Sequence, residues 1–280
     1  MIRSTAIWVS AACVVAAGTA SVAHAVDAIY PVGVVTAKDG TVFIADLNLP
    51  GILKWDGDQV SVFYQAPKQF RKPLNRVRCL AIDPQGKLLA GCTAARNVFR
   101  VEPDAEPSAV ASDPIEMPMS LAVSESGEIY VADLELRCIW KIPAGGKPEK
   151  FAEVPPPRGI FLDKTNRLWV VSQNADQVIR LSADGKAREP VVRGTPFAFP
   201  HNIVVDDQEN AFVTDGYGHA VWKIAPGKAP EKFVHGAPLD NPVGIARQGD
   251  ELLVVDPRAK SLFRIRADGT LTAVPLAQGK

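Results

Sequence analysis

The amino-acid sequence predicts an all-β protein, a six-bladed β-propeller with four antiparallel strands in each blade. Three observations support this prediction. Six similar segments end between Asp46 and Asp256, which are 210 residues apart, so the five intervals average 42 residues. A Lys or Arg follows each segment end by eight residues, and no helical hydrophobic period of useful length occurs after the N-terminal segment. Units of about 40 residues with four short strands are typical of propeller blades.

Each predicted blade opens with an apolar strand. Proline suits its first position, where a strand needs no ladder donor. The opening residues are Pro31, Val77, Pro118, Pro157, Pro200 and Pro242. A turn leads to a second strand that is rich in β-branched and aromatic residues. The second strands end at Asp46, Cys92, Asp133, Ser172, Asp215 and Asp256. The third strands carry Lys54, Arg100, Lys141, Arg180, Lys223 and Arg264, and weaker fourth strands such as residues 149–152 complete the blades.

The N-terminal segment has the pattern of a secretory signal peptide. Arg3 precedes an apolar stretch over residues 6–20, and Ala23-His24-Ala25 forms a small-residue cleavage site. We therefore predict a signal peptide over residues 1–25 and a single β-propeller domain over residues 26–280. The protein is expected to be periplasmic or secreted, with no membrane segment after cleavage.

Export to an oxidising compartment permits disulfides. The repeat register places Cys79 and Cys92 opposite each other across a hairpin, which predicts a disulfide between them. The alternative is that Cys79, Cys92 and Cys138 are three buried thiols that pack as small apolar side chains.

The charge balance limits the classes of partner. The chain has 31 basic and 31 acidic residues, whereas nucleic-acid binders show a clustered excess of Lys and Arg, so no nucleic-acid partner is expected. A hydrophobic fraction of 47% also excludes a multi-span membrane protein and a disordered chain.

The residue after each opening position should line the mouth of the central channel. These residues are Val32, Arg78, Met119, Arg158, His201 and Val243. The long connection before the second blade adds Lys68, Arg71, Lys72 and Arg76 to the same face. Arginine forks suit carboxylate and phosphate groups, so we predict a site for a small anionic ligand. Its candidate residues are Arg76, Arg78, Arg158, His201 and Asn202. The alternative is a solvated basic loop whose arginines bond channel carbonyls and water.

The repeat, with its P-x-G-(I/V) opening, its (A/T)-D strand end and its following (K/R)-(I/V), resembles the NHL-repeat propellers and, more loosely, gluconolactonase-type propellers. The resemblance covers nearly all of residues 26–280 and implies the propeller fold rather than one function. Gluconolactonases hold a divalent cation with Glu, Asn and Asp at the mouth. The nearest positions here are Val32, Arg158 and His201, which would repel a metal ion.

One blade resembles the peptidyl-hydroxyglycine amidating lyases through Pro200-His201-Asn202 and Asp215-Gly216-Tyr217. This resemblance implies a ligand-type role for His201 and an active-site role for Tyr217. That family takes zinc-binding histidines from three blades, whereas only one mouth position here is a histidine. We therefore predict neither a metal site nor a cofactor.

Two functions follow from these features. The first is an exported propeller that binds a small anionic ligand, a glycan or a protein on its top face without catalysis. The second is a metal-independent lyase or hydrolase in which His201 is the general base, Tyr217 the acid, and Arg78 with Arg158 the anion clamp. A scaffold that merely holds partners is the third alternative.

Overall fold

A computed structural model describes residues 30–67, 69, 72–111, 114–154 and 156–276. The predicted signal peptide, Lys68 and Arg71 lie outside the described residues. Within the described ranges the chain forms 24 β-strands, which assemble into six four-stranded antiparallel sheets. No helix in this part of the chain is long and apolar enough to cross a membrane. The prediction of a six-bladed β-propeller is confirmed.

The strands at the channel and those next to them run in opposite directions in every blade. The inner strands are β1 (Pro31–Thr36), β5 (Val77–Ile82), β9 (Pro118–Val123), β13 (Pro157–Leu162), β17 (Pro200–Val205) and β21 (Gly244–Gln248). The second strands are β2 (Val42–Asp46), β6 (Leu88–Cys92), β10 (Ile129–Asp133), β14 (Leu168–Ser172), β18 (Ala211–Asp215) and β22 (Glu251–Asp256).

The third and outer strands complete each blade from contiguous sequence. The third strands are β3 (Gly51–Trp55), β7 (Asn97–Val101), β11 (Cys138–Ile142), β15 (Val178–Leu181), β19 (Ala220–Ile224) and β23 (Ser261–Ile265). The outer strands are β4 (Val60–Gln65), β8 (Ser108–Ala109), β12 (Glu149–Glu153), β16 (Arg188–Val192), β20 (Glu231–His235) and β24 (Leu271–Pro275).

The hydrophobic core lies in clusters between neighbouring blades. The second strands are packed on both faces, which explains why β10 and β18 are buried along their whole length. The ring closes where Val34 and Ile44 of the first blade pack against Leu253 and Val255 of the last. Burial of apolar surface, at roughly 25 cal/mol per Å², therefore stabilises every blade interface.

A β-bulge lies at the start of each of the first five inner strands. In the first blade Pro31 pairs with Asp46 and Gly33 pairs with Ala45, so Val32 is left out of the ladder. A bulge bends the strand and redirects the extra side chain. The residues displaced in this way are Val32, Arg78, Met119, Arg158, and both His201 and Asn202. The bulges therefore aim these side chains at the end of the channel where the inner strands begin, which we call the channel mouth.

The aspartates that end the second strands build the loops around the mouth. Asp215 is fully buried, and its carboxylate accepts the backbone N–H groups of Ala198 (2.9 Å), Phe199 (2.7 Å) and Gly218 (3.0 Å). These bonds fix the segment that leads into His201. The recurring Asp is thus a structural residue that holds the loops around the channel mouth.

The predicted disulfide between Cys79 and Cys92 is not formed, because both thiols are free and buried, as is that of Cys138. In the observed register Cys79 lies opposite Gly91 and Cys92 opposite Val77, so the two cysteines do not pair across the hairpin. Cys79 packs between the second and third blades, whereas Cys92 packs between the first and second. The two sulfurs therefore lie on opposite faces of one sheet.

Candidate functional site at the channel mouth

The channel mouth contains a small cavity of about 20 Å³, which is room for about one water-sized group. The structure brings together all six residues that follow the blade openings, with Asn202 beside them. The lining residues are Val32, Arg78, Met119, Arg158, His201, Asn202 and Val243.

Arg158 is the most deeply placed charged group of this cavity, with only 8% of its surface exposed. Its guanidinium Nη2 lies 3.2 Å from Nδ1 of His201, and its Cζ lies 4.6 Å from the centre of the Phe199 ring. The Nε atom is buried and has no hydrogen-bond partner among the described residues. The guanidinium therefore keeps one buried donor that the described chain leaves unpaired.

The contact with Arg158 defines the tautomer of His201. A guanidinium only donates, so Nδ1 accepts and the proton of the neutral imidazole is on Nε2. Nε2 lies against Gly216, where a Cβ atom would come within 2.8 Å of it. The same Cβ would come within 2.3 Å of Oδ1 of Asn241, a buried acceptor that is otherwise unpartnered in the described structure. Glycine at 216 therefore lets the His201 ring and the Asn241 amide lie close to its backbone.

The mouth is positively charged and has no internal counterion. Among the described residues, neither Arg78 nor Arg158 forms a salt bridge at 4.0 Å or less. Burial, with a smaller contribution from Arg78, lowers the pKa of Arg158 to about 10, and burial also lowers the pKa of Arg78. Burial and then the two arginines lower the pKa of His201 to about 3. Near neutral pH the site therefore holds a neutral imidazole and two guanidinium cations.

A wider cavity of about 400 Å³ opens beside the mouth over the first three blades. It shares Arg78, Met119 and Arg158 with the mouth cavity, and Arg76 lies at its exposed side. The remaining lining residues are Leu47, Thr93, Ala94, Met117 and Leu134. We call this cavity the lateral groove. The repeat pattern did not predict the lateral groove. Its sequence signal is the pair Leu47 and Leu134, two apolar residues that directly follow second strands.

Tyr217 lies on the rim of the site rather than in its lining. Tyr217 is 60% exposed, and the centre of its ring lies 4.7 Å from the centre of the Phe199 ring. Phe199 in turn lies 5.0 Å from the His201 ring. Phe199 thus connects the exposed tyrosine to His201 and Arg158, a role that the sequence did not suggest.

The residues of the mouth do not fit a divalent cation. Within the ranges that the structure describes, no group of three or more His, Cys, Asp or Glu side chains is placed to hold a metal ion. Hard cations prefer carboxylate and carbonyl oxygens, whereas the charged groups here are two guanidiniums that would repel them.

Comparison with known proteins places this chain in a family. The sequence profile of the virginiamycin B lyase family matches residues 68–280, about three quarters of the chain. This chain belongs to the virginiamycin B lyase family. The match includes Arg76, Arg78, Arg158 and His201, and it excludes the first blade with Val32.

Individual members of the virginiamycin B lyase family are distant in sequence. A virginiamycin B lyase from Nocardia farcinica is 25% identical over 197 residues, which are 70% of this chain and 68% of the relative. A catalytically inactive His-to-Ala variant of the Staphylococcus aureus virginiamycin B lyase, solved with quinupristin, superposes with a TM-score of 0.68 at 19% identity, over 89% of this chain and 85% of that one.

The fold also extends beyond the virginiamycin B lyase family. A gluconolactonase from Xanthomonas campestris superposes with a TM-score of 0.70 at 16% identity, over 82% of this chain and 84% of that chain. At these identities the superpositions establish a common fold, and the gluconolactonase-like appearance of the repeats is explained by it.

Proposed function

We propose that the channel mouth binds a small ligand through a carboxylate group, held between Arg78 and Arg158 beside His201. One observation carries this proposal. Two guanidiniums line one cavity, the deeper one 8% exposed with an unpartnered Nε, and no carboxylate of the described chain neutralises them. A buried charge without a partner is costly, so an anionic ligand would supply the missing counterion.

The size of the mouth cavity favours a small anion over the other ligand classes. A volume of about 20 Å³ accepts one carboxylate oxygen but not a sugar ring or a peptide side chain. Arginine donors in a partly buried site form charge-assisted hydrogen bonds, which are stronger than neutral ones. A glycan or a protein could reach only the rim.

Thermal unfolding in the presence of acetate or inorganic phosphate tests this function. The wild type should be stabilised by either anion, by about 2.7 kcal/mol at a hundred times the dissociation constant. Arg158→Met and Arg78→Met should lose the stabilisation. Arg266→Met is the matched control, because Arg266 pairs with Glu251, which begins its strand on the face opposite the mouth. Equal stabilisation of all four proteins would contradict the proposal.

The second candidate is a lyase reaction at the same mouth. Two observations favour it: the family match, and a histidine that borders the anion site where a substrate would lie. The Staphylococcus aureus relative became catalytically inactive when one histidine was changed to alanine. A histidine is therefore needed for catalysis in that relative, which supports a catalytic role for His201.

For this reaction we infer the following sequence of events. A substrate carboxylate that takes the guanidinium donors of Arg158 releases the Nδ1 lone pair of His201. The added negative charge also raises the pKa of His201 from about 3, which makes the imidazole a stronger base. His201 then removes a proton from the carbon next to the carboxylate, and the guanidiniums stabilise the negative charge that develops. The electron pair of the broken C–H bond forms a C=C bond to the adjacent carbon, and the bond from that carbon to the departing group breaks. Tyr217, at the rim, donates a proton to the departing group.

Mass spectrometry of 3-acetoxybutanoate, a carboxylate with a leaving group on its β-carbon, tests the lyase after incubation with the protein. Elimination leaves the total mass unchanged, whereas hydrolysis adds the mass of one water. We expect elimination with the wild type and with Arg266→Met, none with His201→Ala, and a reduced rate with Tyr217→Phe. No conversion by the wild type, or full conversion by His201→Ala, would contradict this assignment.

We propose further that the protein acts in the periplasm or outside the cell, on the basis of the signal-peptide pattern in residues 1–25. N-terminal sequencing of protein recovered from that fraction should begin at Val26. An intact N-terminus on cytoplasmic protein would contradict export.

A further inference from the structure

The lateral groove has the chemistry to hold the rest of the ligand. We infer that the ligand is an apolar monocarboxylate whose carboxylate enters the mouth cavity while its hydrocarbon body lies in the lateral groove. This inference rests on the proposed carboxylate site and concerns the part of the ligand that this site does not contact.

The two cavities adjoin at three shared residues. Arg78, Met119 and Arg158 line both of them. The mouth cavity, at about 20 Å³, admits only the end of a molecule, whereas the lateral groove, at about 400 Å³, has the size of a small-molecule pocket. A bound molecule with its acid group between these two arginines can therefore extend into the lateral groove.

The lining of the lateral groove is apolar apart from its cationic end. Five of its nine residues are the half-buried Leu47, Ala94, Met117, Met119 and Leu134. Methionine side chains are flexible and polarisable, so they adapt to hydrocarbon groups of different shape. No acidic residue lines the groove, and its charged residues are all arginines. A ligand with a negative head and an apolar body matches this distribution.

The direction of the ligand follows from the loops around the mouth. In the first three blades the residue after the second strand is Leu47, Thr93 or Leu134, and in the last three it is Gln173, Gly216 or Pro257. Leucines border the mouth only on the side of the first and third blades, which is the side where the groove lies. The hydrocarbon body is therefore expected over blades one to three, away from Phe199 and Tyr217.

Calorimetric titration with linear carboxylates of increasing length tests the ligand class. From acetate to butanoate, hexanoate and octanoate, the dissociation constant should fall by about two- to fourfold per methylene, because each buried methylene contributes up to about 0.8 kcal/mol. Leu134→Ser should weaken octanoate binding at least tenfold and leave acetate binding unchanged. Leu47→Ser, on another blade, should act in the same way.

Leu136→Ser is the matched control, since Leu136 is exposed in the same turn as Leu134 and does not line the groove. It should preserve the whole series. If acetate binds but longer chains bind no more tightly, or if Leu134→Ser and Leu136→Ser behave alike, the apolar ligand class is wrong and the carboxylate site stands. If acetate itself fails to bind the wild type, the proposed function fails.

Discussion

Replacement of Arg158 by methionine should stabilise the ligand-free protein. Burial and Arg78 lower the pKa of Arg158 from 12.5 to about 10, and each pKa unit corresponds to about 1.4 kcal/mol. The charged guanidinium therefore costs the fold about 3 kcal/mol at most. Methionine fills a similar volume without a charge, but it loses the stacking on Phe199 and the bond to His201, together about 1–2 kcal/mol. The net gain should be about 1–2 kcal/mol.

Urea unfolding at pH 7.5 in a buffer free of carboxylate and phosphate measures this difference. The midpoint of Arg158→Met should lie above that of the wild type with the same slope, which would indicate a change in stability alone. Saturating acetate should reverse the order, because only the wild type gains binding free energy. Arg266→Met, on the face opposite the mouth, should show neither the gain nor the reversal.

A loss of stability in Arg158→Met without ligand would refute the reasoning about an uncompensated charge. It would mean that the fold already neutralises the guanidinium. Most substitutions destabilise a protein, so a gain of stability at a buried position would not be expected by chance. Such a gain is expected at a residue that serves function at the expense of stability.

Three further predictions concern neighbouring groups. The pKa of His201 is about 3 in the folded protein and 6.5 in the unfolded chain, so the free energy of unfolding should fall as the pH drops below 6.5, by up to about 1.4 kcal/mol per pH unit. His201→Gln should flatten this dependence between pH 7 and pH 5. An equal loss of stability in both proteins would argue against a buried neutral imidazole. Burial raises the pKa of Cys79 to about 12, so a thiol reagent at pH 8 should label it only in urea, and rapid native labelling would disprove its burial. Gly216→Ala should displace His201 and Asn241 and weaken acetate binding while circular dichroism stays unchanged; unaltered affinity would show that these side chains do not shape the site.

The repeats made the fold predictable. A constant offset between the second-strand end and the third-strand cation, as from Asp133 to Lys141, is repeated six times and is compatible with one supersecondary unit. Alignment of the six repeats also identified the residues of the mouth, because equivalent positions of every blade lie at the same height around the channel. Arg158 and His201 could therefore be placed together, although they are 43 residues apart.

Pairwise geometry could not be predicted in the same way. The repeat predicts which strands pair but not their register to one residue, and the observed register places Cys79 opposite Gly91 rather than Cys92. The contacts of Phe199 and Asn241 depend on how loops from neighbouring blades fold over the mouth. Such contacts join loops of different blades, and the repeat does not encode them.

The most direct test of the carboxylate site is a crystal structure with 4-bromobenzoate, whose bromine can be located by its anomalous scattering. The carboxylate should lie within hydrogen-bond distance of Arg78 and Arg158, with one oxygen in the mouth cavity beside His201. The bromine should lie in the lateral groove. A carboxylate bound elsewhere, with only water next to the Nε atom of Arg158, would contradict the central claim that the channel mouth recognises carboxylates.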